Sequence, residues 1–413
     1  MATPGPELID PARYARDGYP HETFKELRDE SPVHWYGDHA IPFWAVTRHA
    51  DIVEISKQPE IFSNLPRFQI NVGAEFGSED EREPETIIQM DPPAHRRYRE
   101  LISRRFTPRA LRSIESEMDQ IAVELVSGVE SDANGGECDF VERIAAPFPM
   151  TVISWLLDLP RPDWPQLVDW TNAVVLSNDP EYQREGETAH ETRLRASQCL
   201  YEYFTELADE RRQGNGDDLV GLLARAEIDG EPLDPHALVS YYLLLIAAGN
   251  ETTRNAISGG MHAMLENPQV WRELSSDPSK IGSAAEEILR WSSPIVQMAR
   301  TATRDTEIGG QKIRAGETLA LFYASANRDE RVFPDPFEFR IDRRPNPHLA
   351  FGIGEHFCVG AHLARIEIRA VFRQLLARFE RIEAGRAPTR LFSSAVGGMK
   401  TLPVRFSLLP GVS

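Results

Sequence analysis

Three cysteines stand among 413 residues, and the surroundings of Cys358 set it apart from Cys138 and Cys199. It lies in the run Phe351-Gly352-Ile353-Gly354-Glu355-His356-Phe357-Cys358-Val359-Gly360, and a strong helical pattern, AHLARIEIRAVFRQLLARF, follows at once. A cysteine where a glycine-rich loop enters a helix faces orphan backbone N–H groups and the positive end of the helix dipole, which favour thiolate over thiol. Gly352, Gly354 and Gly360 let the backbone approach something flat and bulky, and leave N–H groups free to bond the sulfur. An axial thiolate on a haem iron has these needs, because donor bonds to sulfur tune the metal. Two other readings stand beside it: a buried cysteine in a glycine turn, and a zinc site with His356 and His362, for which the region supplies no second cysteine.

A second feature lies in the middle of a long predicted helix. Asp234 can cap it, Pro235 suits its first turn, and the apolar pattern continues until Pro268 stops it. About 32 residues at 1.5 Å each span about 48 Å, enough to cross a domain, so this helix must be central. Yet its middle reads Ala248-Gly249-Asn250-Glu251-Thr252-Thr253, polar where packing alone asks for Leu or Ala. A threonine there either serves chemistry or back-bonds to a helix carbonyl and bends the helix.

Taken together, the ten residues around Cys358 resemble the haem-binding motif of the cytochromes P450. The resemblance covers essentially the whole chain and implies haem b with Cys358 as its axial thiolate ligand and dioxygen as co-substrate. It implies that Ala248 and Gly249 leave room above the iron, that Thr252 holds a hydrogen bond near the oxygen, and that Glu251 relays protons from solvent into a mostly dry pocket. His95, Arg99, Arg300 and His356 occupy the positions that hold the haem propionates, with Phe351, Gly352 and Gly360 also against the haem. Glu287-Ile288-Leu289-Arg290 resembles the family's Glu-x-x-Arg pair, a structural tie whose partner is read as Arg340 in Phe337-Glu338-Phe339-Arg340.

The elements that must position these groups are mostly helical. Helices are expected over 50–57, 95–104, 111–128, 150–157, 193–212, 235–266, 280–290 and 360–379. Aromatic and β-branched residues over 33–36 and 43–47 suggest paired strands, and 299–321 reads as small strands with a tight hairpin at Gly309-Gly310. No linker divides the chain, which is read as one P450 domain over 1–413, mainly α with a minor β part. A formal charge of −19 disfavours diffuse attraction to nucleic acid or anionic lipid. Three scattered cysteines exclude a disulfide framework and a fused iron–sulfur domain. No signal peptide or membrane span is read, so the protein is expected to be cytoplasmic, without a membrane anchor, and a monomer. Since the motifs leave no room for a flavin domain, electrons must arrive from outside, by resemblance from a ferredoxin and an NAD(P)H-dependent ferredoxin reductase. Residues 91–112 carry seven Arg against two acids, and Arg96, Arg97, Arg104 and Arg105 are read as a docking patch for an acidic donor.

Family position also places the substrate wall. It maps to Ile70, Val72, Phe76, Ile87 and Ile88 before the His95 helix, to Leu244, Ala247 and Ala248 on the long helix, to Ile295, Val296 and Met298 after Glu-x-x-Arg, and to Ala395 and Val396 near the end. This apolar set suits a hydrophobic guest held by shape. Residues 75–91 count seven acids against Arg82, so an anionic head group is unwelcome there unless another wall provides a cation. The expected reaction is hydroxylation of an unactivated C–H bond in a steroid, terpenoid or branched lipid. Epoxidation or oxidative coupling in natural-product tailoring, or haem-thiolate binding and sensing without turnover, are the alternatives.

Overall fold

The computed structural model describes residues 6–70, 86–129, 137–177, 179–214, 216 and 218–411. Its longer helices are α1 (Pro11–Asp17), α2 (His21–Glu30), α3 (His49–Ser56), α4 (Ala94–Ser103), α5 (Glu115–Gly128), α6 (Pro147–Leu156), α7 (Trp164–Val175), α8 (Ala189–Arg212), α9 (Pro235–Glu266), α10 (Pro268–Ser276), α11 (Ile281–Ser292) and α12 (Ala361–Arg378). The punctuation of α9 is as the sequence predicts: the Asp234 carboxylate accepts from the N–H groups of His236 and Ala237, Pro235 opens the first turn, and the helix ends at Glu266. It runs through the main apolar core and packs against α6, α8, α11 and α12. Gly259 and Gly260 bring it close to α11, since a Cβ at either would lie under 3 Å from Ser292 or Ile288. That approach fixes the helix bearing Glu287 and Arg290 against the centre of the molecule.

The β part is a five-stranded sheet of β1 (Val33–Tyr36), β2 (Phe43–Val46), β3 (Phe62–Ser63), β4 (Gln297–Ala302) and β7 (Thr318–Phe322), in the order β1-β2-β7-β4-β3. β1 and β2 pair antiparallel, Val33 opposite Val46, as expected. Between β4 and β7, β5 (Thr306–Ile308) and β6 (Gln311–Ile313) form the predicted hairpin, and both Gly309 and Gly310 have positive φ. One face of the large sheet packs on residues of α1 and α2, the other on α3. No helix among the described residues is long and apolar enough to cross a membrane.

Candidate active site

Cys358 sits at the floor of a cavity of about 1380 Å³ that it lines together with α9, α8 and β4 residues. Its backbone N–H donates to the Phe351 carbonyl at 2.9 Å, closing the loop. Gly354 has φ +81°, and a Cβ there would fall 2.2 Å from the Ser56 carbonyl oxygen. The loop can therefore rest on the end of α3 only with glycine at that position. Burial pushes the Cys358 thiol up, while the Gly360 N–H and the charges of Arg99 and Arg365 pull it down. Cys358 is itself exposed to the cavity, so its sulfur is open to a group bound there.

Beneath the loop lies a buried ion cluster. Glu287 and Arg290, both fully buried on α11, form two hydrogen bonds of 2.8 and 2.7 Å. The expected third member, Arg340, is corrected: it gives Glu287 only its backbone N–H, at 2.9 Å, and its side chain is 40% exposed beside Asp335 and Asp342. Arg343 supplies the guanidinium, 3.2 Å from Glu287, because the turn joining the Arg343 N–H to the Arg340 carbonyl brings the later side chain inward. Two further residues escaped sequence reading. Glu286 accepts from Arg365 at 2.6 and 2.9 Å and lies 3.2 Å from His348, and Arg365 stacks 4.5 Å from the Phe351 ring centre. Burial would raise the Glu286 carboxyl, but these partners hold it at about 2.

Around the cavity near Cys358, His95 and His356 stack with ring centres 4.1 Å apart, and His356 Nε2 is buried without a hydrogen-bond partner. Burial lowers His356 to about 2, and burial with the Arg99 charge lowers His95, both away from the cationic form. The cations are Arg99, bonded to the Phe357 carbonyl, and Arg300, buried on β4 with its guanidinium on the Ala299 carbonyl at 2.7 Å. No carboxylate among the described residues pairs with Arg300, and a buried guanidinium in that state calls for an anion. A sulfur, two cations, an orphaned imidazole nitrogen and a cavity above the usual ~300–1,000 Å³ fit a haem with two propionates plus a guest.

Above the sulfur, Ala248 and Thr252 lie one turn apart on α9 and line the cavity. The Thr252 hydroxyl donates to the Ala248 carbonyl at 2.8 Å, which is the helix back-bond. Gly249 is where α9 meets α6, since a side chain there would come within 3.4 Å of Ile153. Glu251 is buried, 3.1 Å from the Arg254 guanidinium and 3.2 Å from Asn255 Nδ2.

With these distances in place, comparison with known proteins is decisive. The cytochrome P450 family model matches residues 3–281 and 282–407. The chain belongs to the cytochrome P450 family. It is 38% identical over 406 residues to a methyl-branched lipid omega-hydroxylase of Mycobacterium bovis, covering 95% of this chain and 91% of that protein. It is 37% identical over 418 residues to a steroid C26-monooxygenase of Mycobacterium tuberculosis, covering 98% and 93%. Among solved structures, the Mycobacterium marinum cytochrome P450 CYP268A2 in complex with pseudoionone superposes with a TM-score of 0.90 at 37% identity, covering 97% of this chain and 98% of that one. The P450 is thus a haem-thiolate monooxygenase.

Of the expected wall of this P450, Ile87, Ile88, Leu244, Ala247 and Ala248 line the cavity, as do Ile295, Met298, Ala395 and Val396. Ile70 and Val296 do not: both are fully buried behind the sheet, packed with the α1 and α2 residues. Val296 packs there with Ala299, while Ile295 and Met298 line the cavity. Val72 and Phe76 lie outside the described residues. Sequence reading missed the outer wall, formed by α8 and the C-terminal end of α7. The basic stretch is partly neutralised: Arg96 forms hydrogen bonds of 2.7 and 3.1 Å with Glu355, and Arg97 pairs with Asp229, while Arg104 is exposed.

Proposed function

We propose that this P450 is a single catalytic domain that holds haem b through Cys358 and hydroxylates an unactivated C–H bond of a hydrophobic lipid, steroid or terpenoid. The observation that carries the reading is the Cys358 sulfur at the floor of a large cavity whose middle is apolar. Bound haem supplies the iron at which dioxygen, two electrons and two protons give one oxygen atom to the guest and one to water. Cys358 donates electron density, and the Gly360 N–H moderates it. Arg300 and Arg99 neutralise the propionates, with His95 and His356 as donors.

Thr252 and Glu251 manage protons. The Thr252 hydroxyl, anchored on Ala248, presents its lone pairs to the cavity and accepts a bond there. Glu251, held by Arg254 and Asn255, carries protons once it turns from them toward Thr252. The lipid omega-hydroxylase and steroid monooxygenase relatives support the guest class. A ferredoxin and its reductase supply electrons, with exposed Arg104 part of the docking face. The reading is tested by titrating the holoenzyme with a steroid, a terpene and a fatty acid while following the Soret band, then measuring oxygen-dependent NADPH consumption and product. A Soret displacement with hydroxylated product is expected, together with loss of the thiolate spectrum in Cys358→Ser. Binding without product from any of the three overturns the hydroxylase reading in favour of a sensor.

A further inference from the structure

Among the described residues, two sulfur-bearing side chains line the cavity, Cys358 and Met298. The chain has eight methionines, and packing separates this one from the rest. Met118, Met150, Met261 and Met264 are at most 2% exposed and Met90 and Met399 8%, and none of them stands on the cavity wall. Met1 lies outside the described residues. Met298 is half-buried and has a face on the cavity. Side chains alternate along β4, so Met298 and Arg300 share one face, roughly 7 Å apart along the strand. Both line the cavity, whereas Ala299 between them packs behind the sheet. The thioether thus stands beside the cation that would hold a propionate. On its other side Ile295 is bridged to Val396, and that part of the wall is apolar.

A monooxygenase that passes two electrons and two protons to dioxygen with no guest to take an oxygen atom releases hydrogen peroxide. A thioether consumes that oxidant directly: a sulfur lone pair takes one peroxide oxygen, the O–O bond breaks, and the second oxygen leaves as water with both protons. The sulfur is oxidised by two electrons to a sulfoxide, and the peroxide is reduced by the same two. With haem bound, Cys358 commits its sulfur to the iron, so peroxide released into the cavity meets one accessible thioether among the described residues, that of Met298. The product carries a polar oxygen on an otherwise apolar stretch of wall, and covering such an oxygen with a hydrophobic guest leaves it without a partner.

We propose that Met298 is a self-oxidation site of this P450: hydrogen peroxide formed in turnover without a fitting guest converts its thioether to the sulfoxide, and the altered wall then holds hydrophobic guests less tightly. A fitting guest protects the residue in two ways. It accepts the oxygen atom that would otherwise leave as peroxide, and it covers the thioether, because Met298 belongs to the wall against which the guest lies. The inference rests on the monooxygenase reading, which supplies the peroxide, and adds to it a covalent modification.

The test is guest-free turnover of the holoenzyme with ferredoxin, reductase, NADPH and isotopically labelled dioxygen, followed by digestion and mass spectrometry, with fragmentation separating an oxygen on Met298 from one on the nearby Trp291. The label should reach Met298 before any other described methionine, and a guest that displaces the Soret band should slow its arrival. Thr252→Ala, which sends electrons to peroxide, should raise the labelled sulfoxide formed per NADPH. The Kd of a hydrophobic guest, read from the Soret band of the haem that survives exposure, should rise about 5–100-fold in the parent, the scale of covering one unpaired polar group. In Met298→Leu the same exposure should change Kd by a factor near one, whatever the starting value. Labelling of Met298 no earlier than of the buried methionines, or an equal rise of Kd in Met298→Leu, overturns the proposal. Should Met298→Leu fail to hold haem, the peptide maps of the parent and of Thr252→Ala decide. If added hydrogen peroxide leaves Met298 unmodified while NADPH and dioxygen are consumed, the self-oxidation site falls and the monooxygenase reading stands. If NADPH and dioxygen are not consumed with or without a guest, both fall.

Discussion

Replacing Arg343 by Ala should destabilise this protein far more than replacing Arg340, and the difference follows from which guanidinium reaches Glu287. Arg343 is 4% exposed and donates to Glu287 at 3.2 Å, and to the carbonyls of Pro334, Asp335 and Glu338 at 2.6, 3.0 and 2.9 Å. Alanine removes every one of these donors at once. Each buried acceptor left unpaired costs about 1–3 kcal/mol, but Arg290 still neutralises Glu287 and water can refill part of the space, so the sum does not simply add. A loss of about 3–5 kcal/mol, as for breaking a buried pair, is the expected scale. Arg340→Ala keeps the backbone N–H on Glu287 and trims an exposed side chain, so its effect should stay within about 0.5 kcal/mol. Urea unfolding of the two holoenzyme variants, followed by circular dichroism, should separate their midpoints at similar slope. Equal losses, or a larger loss for Arg340→Ala, would refute the assignment of the third member.

Gly354→Ala should lose the carbon monoxide thiolate band, because its Cβ would meet the Ser56 carbonyl at 2.2 Å and the residue has φ +81°; a variant with parental haem content and spectrum would contradict this. Thr252→Ala should keep haem and reduction but send electrons to hydrogen peroxide, lowering product per NADPH by about 10²-fold, which a peroxide assay checks. Glu367 is raised by burial from 4.5 to about 8. Over that interval the unfolded carboxyl ionises while the folded one keeps its proton, so stability should fall with rising pH, by at most about 1.4 kcal/mol per unit. Glu367→Gln should flatten this slope in urea titrations between the two values. Arg104→Glu should slow reduction by an acidic ferredoxin several-fold at low salt, whereas rates equal to the parent at all ionic strengths would remove it from the docking face.

What the sequence made legible was local. Asp234, Pro235 and Pro268 mark the ends of α9 by side-chain and ring chemistry that acts within one turn, and the structure follows them. The loop at Cys358 was equally readable, since glycine spacing encodes backbone shape. α7 was not, because its helix depends on packing against α8, which local propensity does not encode. The lining face of α8 mixes Leu194 with Arg193, His190 and Gln198, which reads as a solvent face until the cavity beside it is known. Arg343 and Arg365 could not be told from other arginines, because their partners on α11 are about 55 and 80 residues away in sequence. Chain reversal in three dimensions, not propensity, decides which of them is buried.

The buried ion cluster beneath the sulfur comes from one later part of the chain: Glu286, Glu287 and Arg290, then Arg343, His348 and Arg365, as far as α12, while α3 and α4 lend the loop Ser56 and Arg99. Much of the wall that faces a guest comes from earlier in the chain, on α7, α8 and α9. A recombination between related genes that joined parents near the start of α11 would deliver the ion cluster whole while exchanging those walls. Such a chimaera inherits its reactive floor from one parent and its taste in substrates largely from the other.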